Sequence, residues 1–274
     1  MKKLMVRLSF FSLVIVCSMY FLQDFFIYHP KRSNPEAIAQ LAQNKNLRIW
    51  PDTIDTYRGF VSEGKSVKPR GTIIVFHGNA GNALNRLYYP AALNRLDYRV
   101  LLAEYPGYGA RSGKTGEPQF TADAVEIIRL VSTEFGPPIF LLGESLGCGV
   151  VCATVAETNV PIQGVALITP WDTLPNLAQD QYWFLPARWI VKDRYDNVAN
   201  LANYQGPVAV ILAGQDEIIP NRLTLRLYEA LSGPKRLWTF AEAGHNSWPS
   251  GSNEPWWAEM MNFLQPAAAA HEAK

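Results

Sequence analysis

From Gly71 onward, short runs that are apolar at every position alternate with longer stretches in which apolar residues recur every three or four positions. Gly71 to Phe76 predicts a strand, Leu84 to Leu96 a helix and Tyr98 to Ala103 a second strand. Pro118 to Phe135 predicts a helix with Phe120, Ala124, Ile127, Ile128 and Val131 on one face. Pro118 suits its first turn and Gly136 its stop. Ile139 to Leu142 is a third strand, Leu146 to about Glu157 a small-residue helix, and Val165 to Ile168 a fourth strand. Val208 to Ala213 and Arg236 to Phe240 are strands; Asn221 to Leu231 and Trp256 to Leu264 are helices. Strands apolar throughout, alternating with helices, predict a mostly parallel sheet covered on both faces, the α/β class.

The two ends follow other patterns. Lys2, Lys3 and Arg7 precede an apolar run from Leu8 to Leu22, which Gln23 and Asp24 interrupt and Phe25 to Tyr28 continue. Three readings compete. Residues 1–28 form a retained signal anchor, with the basic flank in the cytoplasm and the domain beyond the membrane. Alternatively, Val16-Cys17-Ser18 is a cleavage site and the protein is secreted. In a lipoprotein a small residue would precede Cys17, where Val16 stands. Residues 29–52, polar with Pro30 and Pro35, read as a tether with a short surface helix. Thr53 to Val61 reads as an edge strand and Ser62 to Arg70 as a turn. The domain runs from 53 to 265, and 266–274 reads as a frayed tail.

Composition narrows the function. Hydrophobic content of 48% and charged content of 18% in 274 residues support a substantial core. With 25 basic and 24 acidic residues, and no block of like charge, nucleic acid is not an expected partner. Cys17, Cys148 and Cys152 make no disulfide framework, and no Cys/His cluster has metal-ligand spacing, so neither metal nor cofactor is expected. Cys148 and Cys152 lie one turn apart as small apolar packing residues.

Chemistry collects where the strands end, as it does in open α/β sheets. Gly143-Glu144-Ser145-Leu146-Gly147 joins the third strand to its helix. A serine on so sharp a turn holds its hydroxyl clear of the backbone, and glycines two residues either side remove side chains that would collide. The Leu146 amide then sits at a helix N-terminus, aimed where an oxyanion would form. A serine needs an adjacent base. Of four histidines, His29 lies beside the apolar segment, His77 braces the first loop and His271 is in the tail, which leaves His245. Asp216, at the end of the preceding strand, is the carboxylate expected to orient it, with Asp172 as its rival. Glu217 is expected to point elsewhere. The glycine-bearing loop His77 to Asn82 offers a second oxyanion donor, the Asn79 amide. The glycines of Glu104 to Gly109 fit a tight turn beside the pocket, where Tyr105 is a pocket candidate although a structural role suits it better.

HGNAGN, EYPGYG, GESLG, GQDEIIP and GHN together resemble the α/β-hydrolase superfamily. They are similar to its membrane-anchored branch, which includes α/β-hydrolase domain-containing proteins, protein depalmitoylases and serine aminopeptidase-like proteins. The resemblance spans roughly residues 50 to 265. It implies an α/β-hydrolase fold with Ser145 as nucleophile, Asp216 and His245 completing a triad, and Asn79 and Leu146 as the oxyanion hole. One departure is the short region before Gly71, which lacks the usual glycine-rich first strand.

The expected activity is that of a serine hydrolase cleaving carboxylic esters or thioesters, on a small-molecule or lipid-like substrate. A serine peptidase or amidase on the same fold is the alternative. A membrane-tethered binding protein without catalysis is a third, and a complete triad argues against it. Neither the substrate nor the oligomeric state is legible. Trp171 to Gln205 predicts no confident regular element and is dense in aromatics. It reads as a short cap insertion over Ser145, with Trp171, Trp183 and Phe184 as pocket residues, or else as aromatics closing the core.

Overall fold

In the central strands alternate side chains leave on opposite faces, so a strand buried on both sides must be apolar at every position. That is the pattern of β4 below, whose Ile74 and Phe76 face one core while Ile73 and Val75 face another. The computed structural model describes residues 2–64 and 66–265, without the side chains of residues 2–13 and 15. The 266–274 tail lies outside the described residues.

The chain begins with α1 (Lys2–Ile27), followed by β1 (His29–Pro30), α2 (Pro35–Asn44), β2 (Arg48–Trp50) and β3 (Gly59–Ser62). Asn34 caps α2, its side chain accepting the Ala37 N–H at 2.7 Å. The alternation then gives β4 (Thr72–Phe76), β5 (Ala80–Gly81), α3 (Tyr88–Leu93), β6 (Arg99–Ala103), α4 (Glu117–Phe135), β7 (Ile139–Glu144), α5 (Leu146–Glu157) and β8 (Gly164–Ile168). Three short helices follow, α6 (Leu174–Gln181), α7 (Ala187–Ile190) and α8 (Asn197–Leu201). The chain closes with β9 (Val208–Ala213), α9 (Asn221–Ala230), β10 (Lys235–Phe240) and α10 (Pro255–Leu264).

The main sheet has the order β10-β9-β8-β7-β4-β6-β3-β2, parallel from β10 to β6 and antiparallel at its last two pairings. Helices α4, α5, α8 and α9 cover one face; α2, α3 and α10 cover the other. From β4 the chain passes outward to β6 and then returns to β7 on β4's other side. The loops after β4 and β7 therefore diverge from a crevice, the place where such sheets bind ligands.

Three expectations are corrected. The strand read over Thr53 to Val61 is confined to Gly59–Ser62, because residues 53–56 turn before the chain can pair with β6. Residues 29–52 are more than a tether: they carry β1, α2 and β2, and β2 lies at the edge of the main sheet. Its Trp50 is fully buried and donates its indole N–H to Glu134 at 2.7 Å. The 171–205 stretch, read without a regular element, holds α6, α7 and α8, capped in part by Thr173 and Asp196.

The apolar run read as an anchor lies on α1, and much of it falls on side chains outside the described residues. Among the described residues no helix is long and apolar enough to cross a membrane.

Trp50 ties β2 to the domain. Trp50→Ala is expected to cost about 3–5 kcal/mol, as large-to-small changes of buried aromatics do. Equilibrium urea unfolding measures it, and a loss under about 1 kcal/mol would return residues 48–50 to a tether.

Candidate active site

Ser145 stands between β7 and α5 with φ 51° and ψ −115°, a conformation that costs a non-glycine residue about 1–3 kcal/mol. The turn is that tight because α5 sits against β4. A Cβ on Gly147 would lie 1.9 Å from the Phe76 carbonyl oxygen, and one on Gly143 2.6 Å from the Cys148 backbone. Only glycine fits either position. Cys148 is buried and its Sγ lies 3.2 Å from the Gly143 and Ile168 carbonyls. Burial pushes its thiol far above the usual range, so it packs and does not react.

His245, in the loop after β10, places Nε2 3.0 Å from Ser145 Oγ. Its Nδ1 lies 2.9 Å from Asp216 Oδ2 and 3.1 Å from Oδ1. Asp216 is itself held, with Oδ1 accepting the N–H groups of Ile218 at 2.9 Å and Ile219 at 2.7 Å. Glu217 points elsewhere, as expected, and accepts the His245 backbone N–H at 3.0 Å, which lowers its carboxyl pKa. The rival Asp172 is occupied in a different place. It accepts the Thr173 N–H at 2.6 Å and the Asn176 amide at 2.8 Å, and it pairs with Arg226 at 3.2 Å. The structure thus brings Ser145, His245 and Asp216 together and leaves Asp172 at the start of α6.

The loop after β4 approaches Ser145 from the adjacent strand. His77 is buried; its Nδ1 lies 2.7 Å from the Gly78 carbonyl and its Nε2 3.1 Å from Glu104. In a trans peptide the C=O and the following N–H point in opposite directions. Fixing the Gly78 carbonyl toward His77 therefore turns the Asn79 N–H away from His77. Among the described residues neither the Asn79 nor the Leu146 amide has a hydrogen-bond acceptor. Tyr108 donates its hydroxyl to the Asn79 carbonyl at 2.7 Å, and Tyr105 donates to the His77 carbonyl at 2.7 Å.

Glu144, beside the serine, anchors a second network. Arg86 donates to it through Nη2 at 2.8 Å and Nε at 3.2 Å, and Tyr89 at 2.9 Å. Tyr88 donates at 2.5 Å. Burial alone would raise this carboxyl's pKa, but Arg86 and the two hydroxyls outweigh it and the net shift is downward.

Above Ser145 lies a cavity of about 440 Å³, within the range of small-molecule sites. Its walls come from the cap (Trp171, Leu174, Leu177, Ile190), from the Asn79 loop and from the end of α1. Trp171 is on its wall. Tyr105, Trp183 and Phe184 are not. Tyr105 is buried beneath the loop, stacked on Phe120 with centroids 4.4 Å apart. Trp183 and Phe184 are 79% and 65% exposed, turned outward where the cap folds between α6 and α7. The α1 residues on the wall were not read from the sequence, and neither were Arg86 and Glu144. Residues that meet only through long-range folding leave no local spacing to read.

A family model described as the alpha/beta hydrolase fold matches residues 71–203. The esterase Pf2001 of Pyrococcus furiosus superposes with a TM-score of 0.64 at 16% identity, over 86% of this chain and 98% of that one. This chain has the α/β-hydrolase fold. A second structural neighbour, Est1E of Butyrivibrio proteoclasticus, solved with ferulic acid, has a TM-score of 0.61 at 15% identity, over 75% of this chain and 91% of that one. In sequence the chain is 33% identical over 177 residues to an uncharacterized protein of Mycobacterium tuberculosis H37Rv, covering 64% of this chain and 62% of that protein. It is 27% identical over 184 residues to the lysophosphatidylserine lipase ABHD12 of Danio rerio, covering 60% of this chain. It spans 48% of that lipase's length.

The Glu144 network gives a pH prediction. A carboxyl whose folded pKa is lowered stabilises the fold above its unfolded pKa, and that contribution is lost as pH falls through the folded value. Glu144→Gln should cost about 2 kcal/mol near neutrality, the worth of charged hydrogen bonds on a buried group. The gap from wild type should narrow below pH 4.5, the ordinary value for the carboxyl. Urea unfolding at pH 7 and at pH 4 checks it; an equal gap at both would reject the sign.

Proposed function

We propose that this protein is a serine hydrolase that cleaves carboxylic esters or thioesters through an acyl-enzyme. The observation that carries the reading is the chain of contacts from Asp216 through His245 to Ser145 at the floor of the cavity. With its proton on Nδ1, facing Asp216, His245 presents a bare Nε2 to the serine hydroxyl. Ser145 Oγ attacks the carbonyl carbon as Nε2 takes its proton. The carbonyl oxygen gains the negative charge, and the Asn79 and Leu146 N–H groups are the donors that would stabilise it. Collapse breaks the bond to the leaving alcohol or thiol, which receives the proton from His245. Water then repeats the sequence on the acyl-serine and releases the acid.

The cavity favours an apolar acyl group, with Leu174, Leu177, Ile190 and Trp171 on the cap side. Its cationic lining residue, Arg86, is already paired with Glu144, so it offers no free anchor for a peptide's charged terminus. A lipid-like ester fits this wall, and the similarity to a lysophosphatidylserine lipase supports the same class. Tyr20, Phe21, Leu22, Phe25 and Phe26 on α1, with Trp183, Phe184 and Trp189 on the cap, are exposed on the two elements that flank the cavity. Aromatic side chains in such numbers suit a membrane–water interface. We infer that the N-terminal segment anchors the protein to a membrane, with the domain on the far side from the cytoplasm.

Ser145→Ala should label with no fluorophosphonate probe and turn over p-nitrophenyl esters at far under a tenth of the wild-type rate, about as slowly as His245→Ala. Asp216→Asn should lose on the order of 10⁴ in kcat because an amide favours the wrong histidine tautomer. Asp172→Asn should lose little activity. A wild type inert to the probe would reject the hydrolase reading, and the reverse ranking of the two aspartates would move the triad acid.

The full-length protein should pellet with membranes and resist carbonate extraction. Recovery of the intact chain from the cytosol would reject the anchor and the orientation together.

A further inference from the structure

The last turns of α1 reach the cleft from the opposite end of the chain. Met19, Gln23, Phe26 and Ile27 line the cavity above Ser145, facing the cap wall. The helix is fastened to that cap by buried polar contacts. Gln23 is buried; its Oε1 accepts the Lys192 N–H at 2.6 Å and its Nε2 donates to the Ile190 carbonyl at 3.4 Å. The Tyr28 hydroxyl donates to Asp193 and lies 3.3 Å from the Tyr195 hydroxyl. Burying these groups unpaired would be costly, so the partners hold the helix end in one register.

The chain leaving α1 is joined to the loop that carries the Asn79 amide. Strand β1 pairs in parallel with β5, His29 opposite Ala80 and Pro30 opposite Gly81. His29 donates its backbone N–H to the Asn79 carbonyl at 3.0 Å, and Lys31 to the Gly81 carbonyl at 3.0 Å. The Asn79 side chain returns the contact, its Nδ2 donating to the Ile27 carbonyl at 3.1 Å. On its other side the segment is held by the loop after β6, with Gly109 N–H donating to Lys31 and Ser33 N–H to Gly109. Of the two donors at the Asn79 carbonyl, one, His29 N–H, belongs to this segment.

Building on the serine-hydrolase reading, we propose that Met19 to Lys31 is a working part of the active site. The end of α1 is the acyl-binding wall that limits chain length. The segment from Ile27 to Lys31 positions the Asn79 amide against the developing oxyanion. The physical reason is the narrow tolerance of such a donor, which acts only when it sits about 3 Å from where the charge appears. A loop fastened to its own sheet alone could pivot about Gly78 and Gly81. Fastened to α1 as well, it cannot. The anchor and the catalytic machinery are then one rigid unit. Cleavage before Met19 would leave that unit whole, and removal up to Lys31 would dismantle it.

The test uses the full-length chain in detergent micelles and two kinds of point variant. Phe26→Trp narrows the cavity at α1 and Phe26→Ala widens it. Across p-nitrophenyl acetate to palmitate, Phe26→Trp should move the optimum of kcat/KM at least two carbons shorter, and Phe26→Ala longer. Asn79→Ala keeps the backbone amide and removes the contact to Ile27. It should lower kcat on p-nitrophenyl acetate about tenfold with KM within twofold, and slow fluorophosphonate labelling in parallel, less than the full loss of an oxyanion donor. A chain-length profile unmoved by both Phe26 variants would overturn the wall, whatever the stability of the Asn79 variant. An Asn79→Ala enzyme with wild-type kcat would overturn the positioning role. A wild type inert to esters and probe would instead sink the hydrolase reading itself.

Discussion

The close approach of α5 to β4 is the constraint on which the site depends. At Gly147 the helix backbone passes so near the Phe76 carbonyl that no side chain fits. Phe76 ends β4, and the next residues form the Asn79 loop. The same contact that forces Ser145 into φ 51° therefore sets the distance between the serine and that loop. The strain at Ser145, about 1–3 kcal/mol, is borne by the burial of β7 and α5 on either side. Leu141, Val150, Val151 and Cys152 are all buried in one core.

Two buried polar networks transmit that order outward. The His77–Glu104 contact ties the loop after β4 to the end of β6, and the Ala83 N–H groups it further by donating to Glu104 at 3.2 Å. The Glu144 carboxylate gathers Arg86, Tyr88 and Tyr89, drawing the start of α3 onto the end of β7. In each case a carboxylate beneath the cleft is satisfied by several donors, which makes the burial tolerable and fixes the segment beside it. The loops that hold Ser145 and Asn79 are thus ordered from below by charge and from the side by packing.

Much of this was legible in the sequence. Strands β4, β6, β7, β8, β9 and β10 announce themselves because burial on both faces demands unbroken apolar runs, and the loops at their ends carry the polar residues that meet in the crevice. The edge of the sheet was harder. β2 has three residues, and only Trp50 of them is fully buried, so it shows neither a run nor a clear alternation. The cap resisted for another reason. Its aromatics divide between cavity, core and solvent: Trp171 lines the cavity, Tyr195 is buried under α5, and Trp183 and Trp189 face outward. Composition cannot tell these apart, because all three environments accept an aromatic ring.

The contribution of α1 was the least accessible, since it lies in pairings between residues far apart in sequence. Gln23 interrupts an apolar run and, read alone, looks like a break in a hydrophobic segment. In the fold it is the buried residue that joins the helix to the cap. Pro30 likewise looks like a linker residue, yet it lies in β1 against Gly81. Gln23 falls within the stretch of α1 that lines the cleft, between Met19 and Phe26. An apolar helix needs no polar residue to pack against lipid or core, but it needs one to stop in a defined register against a particular neighbour. Hydrogen bonds supply that register because they are directional, whereas apolar contact alone would let the helix slide. The break in the hydrophobic pattern is thus the physical signature of the junction between α1 and the α/β domain.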